Sequence, residues 1–245
     1  MTTPVVLAGR GRLGSIIADV INASDEFAIE RVLDSSSTPE DILGAELVVD
    51  ATVLAASEPL VRTAMTRGIP IVVATSGWTS AKLDALTTEF GEPEASVVVI
   101  PNFSLGSVVE SVLAGIAAPY FDSVEIVEAH HAGKVDSPSG TAVRTAEHIA
   151  DARRAAGLDG VVAPFADQPA RGELIAGVPV HSLRRPGIVA KQDVIFSGPG
   201  ESLTLTHDTI DPARAYAPGI LAALRYAVAS TGLTVGLDKV LGVGA

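Results

Sequence analysis

Residues 4–14 read P-V-V-L-A-G-R-G-R-L-G, and this stretch decides the fold. Pro4–Ala8 is a short apolar run with the look of a buried strand. A glycine-rich turn follows at once, and Ser15–Ala23 then carries Ile16, Ile17, Val20 and Ile21 on one helical face. Gly9, Gly11 and Gly14 fit G-x-G-x-x-G between a strand and a helix. In that context glycine permits a sharp turn and lets backbone N–H groups approach a pyrophosphate, and the helix start adds its positive dipole end. Arg10 and Arg12 add local positive charge. The fingerprint also asks for an acid at the end of the next strand, and Asp34 stands 20 positions after Gly14. Its carboxylate suits the ribose hydroxyls of NADH, whereas Arg10 or Arg12 suits the 2′-phosphate of NADPH. Both signals are present, so the residues leave NADH or NADPH open.

Outward from this turn the chain keeps alternating. Strands are predicted at Phe27–Leu33, Leu47–Asp50, Ile69–Ala74 and Ser96–Ile100, with helices at Pro59–Arg67 and Ala81–Phe90. Short β-rich runs alternating with amphipathic helices predict a parallel sheet covered on both faces. The pattern changes near residues 102–105. Leu105–Ala118 and Thr141–Ala156 read as helices and Val124–His130 as a strand. Val178–Leu183, Ile188–Phe196 and Leu203–Thr209 then follow as strands without helices between them, with Gly198-Pro199-Gly200 as a tight turn. Consecutive strands joined by turns predict an antiparallel or mixed sheet. Tyr216–Ser230 closes the pattern as a helix, and residues 157–177 carry the weakest structural signal. The class is α/β, with a Rossmann-type domain and a central α+β domain.

Composition narrows the function. The chain has 245 residues, 17 Lys and Arg against 29 Asp and Glu, and a formal net charge of −12. Such a surface repels nucleic acid and anionic membranes. It repels anionic substrates too, so any phosphate or carboxylate site must gather positive potential locally. There is no cysteine, which excludes disulfides and thiolate metal sites. No apolar run approaches the roughly 18 residues of a membrane helix, and the N-terminus lacks a secretory signal pattern. A cytoplasmic location is expected.

A second concentration of chemistry lies at residues 128–142, E-A-H-H-A-G-K-V-D-S-P-S-G-T-A. His130 and His131 stand at the end of a predicted strand. Histidine titrates near neutrality and carries protons. Lys134 offers a cation for a carboxylate, or a proton if burial lowers its pKa. Ser139-Gly140-Thr141 opens a helix whose first N–H groups suit a carboxylate. A second anion site, apart from the nucleotide turn, is what a small, negatively charged substrate requires. No H-x-x-x-H or E-x-x-H spacing supports a zinc site, so no metal is assigned. Taken singly, a histidine pair is an ordinary surface feature and Pro-Ser-Gly-Thr an ordinary helix start; it is the combination that argues for chemistry. Trp78 is expected as a partly buried anchor, with a place flanking the nicotinamide as the alternative, His148 as solvated, and His207 as a strand residue facing an interface. Arg184 and Arg185 are expected on the surface, with the substrate cavity or an assembly contact as the alternative. His181 receives no role. Exposed apolar residues on the late strands suit a sheet packed between subunits.

At residues 128–142 the sequence resembles the 4-hydroxy-tetrahydrodipicolinate reductase (dihydrodipicolinate reductase) family of bacterial lysine and diaminopimelate synthesis. The family pattern E-x-H-H-x-x-K-x-D-x-P-S-G-T-A is matched throughout. The similarity extends to V-V-D-A-T at 48–52, A-T-S-G at 74–77, P-N-F-S at 101–104 and G-E-S-L-T-L-T-H-D at 200–208. The resemblance implies a Rossmann-type domain built from residues 1–103 and 214–245, and a substrate-binding and tetramerisation domain over 104–213. It implies catalytic roles for His130 as acid/base and Lys134 as proton donor, and substrate binding at His131, Gly140 and Thr141. It implies cofactor binding at Ala8, Gly9, Arg10, Gly11, Arg12 and Leu13, at Asp34, at Ala74, Thr75 and Ser76, and at Ile100, Pro101, Asn102 and Phe103. The reaction implied is NAD(P)H-dependent reduction of 4-hydroxy-tetrahydrodipicolinate to tetrahydrodipicolinate by a homotetramer. Three departures fall in the nucleotide half. The first glycine of the family's G-x-x-G-x-x-G is Ala8, its D-F-T is Asp50-Ala51-Thr52, and its G-T-T-G is Ala74-Thr75-Ser76-Gly77.

Overall fold

The computed structural model describes residues 2–244. In chain order the elements begin β1 (Thr3–Ala8), α1 (Arg12–Asn22), β2 (Phe27–Leu33), β3 (Leu47–Asp50), α2 (Leu54–Arg67), β4 (Ile71–Val73), α3 (Ser80–Phe90) and β5 (Ser96–Val99). They continue with α4 (Leu105–Ala117), β6 (Ser123–His130), α5 (Gly140–Ala155), β7 (Glu173–Ile175), β8 (Val178–Arg184), β9 (Ala190–Gly198) and β10 (Glu201–Thr209). The chain closes with α6 (Pro212–Ala229), β11 (Gly232–Val235) and α7 (Leu237–Leu241). Contacts divide it into two compact units. One runs to Phe103 and resumes over Tyr216–Gly242; the other is Ser104–Ala215 with the tail from Val243. Among the described residues no helix is long and apolar enough to cross a membrane.

The first unit holds a six-stranded sheet in the order β11-β5-β4-β3-β1-β2. Every pairing in it is parallel. The physical cause is visible in β3, β4 and β5, where L-V-V-D, I-V-V and S-V-V-V are buried at every position. Strands buried on both faces need helices above and below, and parallel crossovers provide them. Val6, Val48, Ile71, Val73 and Val97 pack with Leu60, Val61 and Leu83 into one core. Chain order reverses between β1, which is flanked by β2, and β3 on its other side. Such a switch point leaves a crevice at the carboxyl ends of the strands.

The second unit holds a mixed sheet in the order β10-β9-β6-β8-β7. Here β6 pairs parallel with β8 and antiparallel with β9, and the β9–β10 and β7–β8 pairs are antiparallel. Helices α4 and α5 cover one face. Alternate residues Val124 and Ile126 of β6, Val178 and Val180 of β8 and Val194 and Phe196 of β9 meet Ala114, Ala142, Ala146 and Ile149 there. The class read from the sequence, α/β with a Rossmann-type sheet and a second mixed sheet, is the observed one.

Several boundaries differ from the expectation. α1 begins at Arg12, directly after Gly11, rather than at Ser15. α2 begins at Leu54 and runs through Pro59, where the sequence suggests a start; its first turn is anchored by Ala56 and Ser57 N–H on the Val53 carbonyl. α6 likewise starts at Pro212 and carries Pro218 inside. β11 and α7 lie beyond the last predicted element. Four residues, G-L-T-V, give too little pattern on their own; it is parallel pairing with the distant β5 that makes them a strand. β7 forms inside the weakly patterned 157–177 segment for the same reason, by pairing with β8.

Candidate active site

The glycine turn sits at the carboxyl end of β1. Ala8 is still strand, buried and paired with Leu33 and Asp50. Gly9 makes the turn, with φ +99, and its N–H donates to the Leu33 carbonyl at 3.2 Å. A Cβ at Gly9 would lie 2.3 Å from the Ala51 carbonyl oxygen, and one at Gly14 would lie 2.3 Å from the Gly9 carbonyl oxygen. The three segments therefore close together backbone to backbone, which only glycine allows. Gly11 is different: a Cβ there meets nothing within 4 Å. Space at Gly11 and an α1 start that no side chain caps are what a pyrophosphate needs. The departure at Ala8 is accommodated because the positive φ falls one residue later, on Gly9.

The remaining residues proposed for the cofactor gather at the same end of the same sheet. Asp34 follows β2, Ala74, Thr75 and Ser76 follow β4, and Ile100–Phe103 follow β5. Ala74 N–H donates to the Asp50 carbonyl at 2.8 Å and Ile100 N–H to the Val73 carbonyl at 2.9 Å, so each exit is pinned to its neighbour. The Thr75 hydroxyl accepts from Thr52 N–H at 2.9 Å. Arg10, Gly11, Arg12 and Ser76 are exposed, Leu13 and Asn102 half-buried, and Ile100 and Phe103 buried. Asp34 is exposed. Its carboxylate accepts from the Ser36 hydroxyl at 2.6 Å and the Ser36 N–H at 2.9 Å. Those bonds, with the charge of Arg10, hold it below the usual carboxylate range. Trp78 is the expected anchor: it packs against the sheet core and donates its indole N–H to the Ser57 hydroxyl at 2.9 Å.

In the second unit the E-A-H-H segment ends β6. Val124, Ile126 and Glu128 share one buried phase of the strand, so Glu128 lies wholly buried at the end of an apolar row. It meets its partners through sheet register, since Glu128 pairs with Ser182, and His130 with Arg184. Arg184 donates through both terminal nitrogens to Glu128, at 2.9 and 3.0 Å. Ser139 N–H, just before α5, donates at 3.2 Å. His130 adds a further contact: its Nδ1 lies 2.6 Å from Glu128 Oε2. Burial pushes Glu128 upward, but the bonds from Arg184, Ser182 and His130 outweigh it and hold the carboxyl below its ordinary value. Burial pushes His130 down; Glu128 opposes this, and Lys134 and Arg184 reinforce it.

Lys134 follows in the loop after β6. Its ammonium donates to both oxygens of Asp136 at 2.7 Å. Arg184 also donates to the Asp136 carbonyl at 2.7 Å, so one guanidinium ties the Lys134 loop to the carboxylate beneath His130. His131 N–H donates to the Val189 carbonyl, and the His131 carbonyl accepts from Lys134 N–H. Ser139 caps α5 by accepting from Ala142 N–H. At Gly140, exposed, a Cβ would meet nothing within 4 Å, so the helix start is open there, with Thr141 half-buried next to it. The structure thus brings His130, His131, Lys134, Gly140 and Thr141 to one end of the mixed sheet.

Two expectations for polar side chains are corrected. Arg184 is not a surface residue: its side chain is 20% exposed and is spent on Glu128, because sheet register places it across from His130. His148 is not solvated; it is half-buried on α5 and its Nδ1 lies 3.3 Å from the Ser111 hydroxyl of α4. His207 does lie on a strand, but it turns toward the start of α4, with Nε2 3.3 Å from the Ser104 hydroxyl. His181 bonds Glu125 at 2.7 Å. The sequence reading gave Glu128 no role of its own and placed Arg184 on the surface by default, with the substrate cavity only as an alternative. The available signal was an acid in phase with buried Val124 and Ile126 and two residues before a histidine.

Known proteins are similar to this chain along nearly its whole length. Residues 3–103 match the family pattern described as the dihydrodipicolinate reductase N-terminus, and residues 106–241 that described as its C-terminus. A 4-hydroxy-tetrahydrodipicolinate reductase of Clavibacter sepedonicus is 49% identical over 243 residues, 98% of this chain and 87% of that one. One from Bifidobacterium animalis subsp. lactis is 40% identical over 250 residues, 96% of this chain and 97% of that one. A dipicolinate-bound dihydrodipicolinate reductase from Paenisporosarcina sp. superposes with a TM-score of 0.81 at 28% identity, covering 98% of this chain and 99% of that one. The class is therefore that of Rossmann-type oxidoreductases working with a nicotinamide dinucleotide. Within it, the chain belongs to the dihydrodipicolinate reductase family.

Proposed function

We propose that this chain catalyses the reduction of 4-hydroxy-tetrahydrodipicolinate to tetrahydrodipicolinate, with His130 and Lys134 handling protons. The observation that carries the reading is the joint fixing of the two groups. Arg184 anchors both the carboxylate beneath His130 and the loop that carries Lys134. Loss of water from the hydroxylated ring leaves a carbon–carbon double bond conjugated with the ring imine. A nicotinamide dinucleotide held by the Gly9–Gly14 turn would supply a hydride for the carbon that bore the hydroxyl. The neighbouring carbon then takes up one proton, so substrate, reduced cofactor and one proton give product, oxidised cofactor and water.

Each residue has a task in this scheme. His130 is the acid/base, with Nδ1 committed to Glu128 and Nε2 the nitrogen left for the reaction. Lys134 donates a proton and faces a substrate carboxylate. His131, Gly140 and Thr141 bind the dicarboxylate, drawing on the open start of α5. Ala8–Leu13, Asp34, Ala74–Ser76 and Ile100–Phe103 hold the dinucleotide. Asp34 suits the ribose diol of NADH, and Arg10 beside it suits the 2′-phosphate of NADPH, so the cofactor is NADH or NADPH. The open face of the mixed sheet, opposite α4 and α5, presents Leu183 together with Val127 and Ile195 and suits assembly into a homotetramer in the cytoplasm.

The test is a coupled assay in which the upstream synthase supplies the substrate. NADH and NADPH should be consumed only with substrate present. His130→Ala should lower kcat by roughly 10²- to 10⁴-fold, the usual worth of a positioned acid or base, while calorimetric NADH binding stays near the native value. Native turnover in His130→Ala overturns the assignment.

A further inference from the structure

The strongest unassigned feature is the buried carboxylate that the mechanism above touches only through His130. Glu128 is fully buried, yet it holds three partners drawn from three segments: His130 on its own strand, Arg184 on β8, and the Ser139 N–H before α5. A carboxylate needs no such cage to fill space; the neighbouring positions Val124 and Ile126 fill it with hydrocarbon. An ionised carboxylate can only accept. Its 2.6 Å contact with His130 therefore makes Nδ1 the protonated nitrogen and fixes the ring plane. Among the described residues no protein group takes Nε2.

We propose that Glu128 is the positioning residue of this enzyme, acting through His130: clamped by Arg184, it fixes the imidazole tautomer and orientation and stabilises the imidazolium that donates through Nε2. The inference rests on the assignment of His130 as the acid/base.

The electrostatics agree with the geometry. The charged and titratable groups facing His130 are Glu128 from β6, Arg184 from β8 and Lys134 from the following loop, with Asp136 bonded to Lys134. Burial, Lys134 and Arg184 all disfavour the imidazolium, and Glu128 is the group that favours it. Removing its charge while keeping its shape should leave His130 neutral at pH values where the native enzyme still holds a proton. Arg184 has a double part. It keeps Glu128 ionised despite burial, and its bond to the Asp136 carbonyl keeps the Lys134 loop in register with His130.

The experiment uses full-length enzyme and two independent readouts. The first is the pH dependence of kcat for native protein, Glu128→Gln and Glu128→Asp. Glu128→Gln should lose about 100-fold in kcat at pH 8 and about tenfold less than that at pH 6, with substrate KM and NADH affinity changed less than about threefold. Glu128→Asp should recover part of the loss. The second is an NMR titration of the His130 ring, assigned by comparison with His130→Ala, which should move to lower pH in Glu128→Gln. Because Arg184 left alone would strain the unit, Glu128→Gln/Arg184→Met, which removes both buried charges, is measured alongside as the folding control; its His130 titration should lie above that of Glu128→Gln, since the disfavouring charge of Arg184 is gone too. A Glu128→Gln profile scaled equally at all pH values, or a His130 titration unchanged in Glu128→Gln, overturns the proposal. The titration reads the dyad directly, so it reports even if His130→Ala were to keep native turnover and sink the catalytic assignment itself.

Discussion

The two ends of strand where function gathers are built on opposite physical plans. At the carboxyl end of β1 the site is made of backbone and of missing side chains: Gly9 and Gly14 let segments touch, and Gly11 leaves room. Its charges, Arg10, Arg12 and Asp34, lie exposed in solvent. At the end of β6 the site is made of side chains, and its central charge, Glu128, is wholly buried and compensated by Arg184 and His130. The first plan fails when atoms are added; the second fails when charge is removed. A nucleotide brings its own negative charge and needs only donors and space. Moving a proton requires a group of set pKa and fixed orientation, which water-exposed charge cannot supply.

This contrast can be broken most sharply at Arg184. Arg184→Met leaves Glu128 buried without its guanidinium, and unfolding in urea should show a loss of about 3–5 kcal/mol. Adding Glu128→Gln should return most of that loss; a double variant no more stable than the single one would mean that the pair is not a unit. Next in size is Gly9→Ala. A left-handed alanine costs about 1–2 kcal/mol, and the overlap with the Ala51 carbonyl adds to it, so a loss of about 2–4 kcal/mol is expected by the same measurement.

A third test concerns Glu110 on α4, also in the second unit. It is buried, with one oxygen bonded to Gln192 at 3.0 Å. Burial, with the nearby Asp193, pushes its carboxyl up to about 8, against the opposing bond from Gln192. The folded protein thus keeps a proton that the unfolded chain releases at the ordinary value of 4.5. Stability should therefore fall as pH rises from the carboxylate range toward 8 and level off above it. The slope is at most about 1.4 kcal/mol per pH unit. Glu110→Gln should flatten the dependence of Tm on pH in that window; an unchanged slope would place the titration elsewhere.

Smaller still is Gly11→Ala, the control for the nucleotide turn. No atom lies where its Cβ would go, so Tm should hold while NADH affinity drops about tenfold, roughly 1.4 kcal/mol. Equal NADH binding would show that the space at Gly11 serves nothing. The smallest effect belongs to Arg225→Ala. The Arg225–Glu26 pair joins α6 to the start of β2, but both side chains are about half exposed. Solvent screens such a pair, so the urea midpoint should stay close to the native one.

How much of this was legible in the sequence follows from the same contrast. The glycine turn could be read because its function is local: strand, turn and helix are contiguous, and a glycine's freedom belongs to the residue itself. The His130–Lys134 segment could be read as chemistry because its residue types are unusual together and match a long family pattern. Arg184 could not. It lies 56 positions from Glu128, and only the β6–β8 register sets it across from His130. The same holds for His148, whose partner Ser111 is on another helix, and for β11, which exists as a strand only by pairing with β5.

The sequence by itself determined the parallel sheet, the mixed sheet, the glycine turn and the grouping of His130, His131 and Lys134 in one segment. Those are properties of local hydrophobic period and residue chemistry. Tertiary structure alone decided which groups are buried and what compensates them. Burial and pairing arise when distant segments meet, and they govern whether His130 holds a proton and where it points.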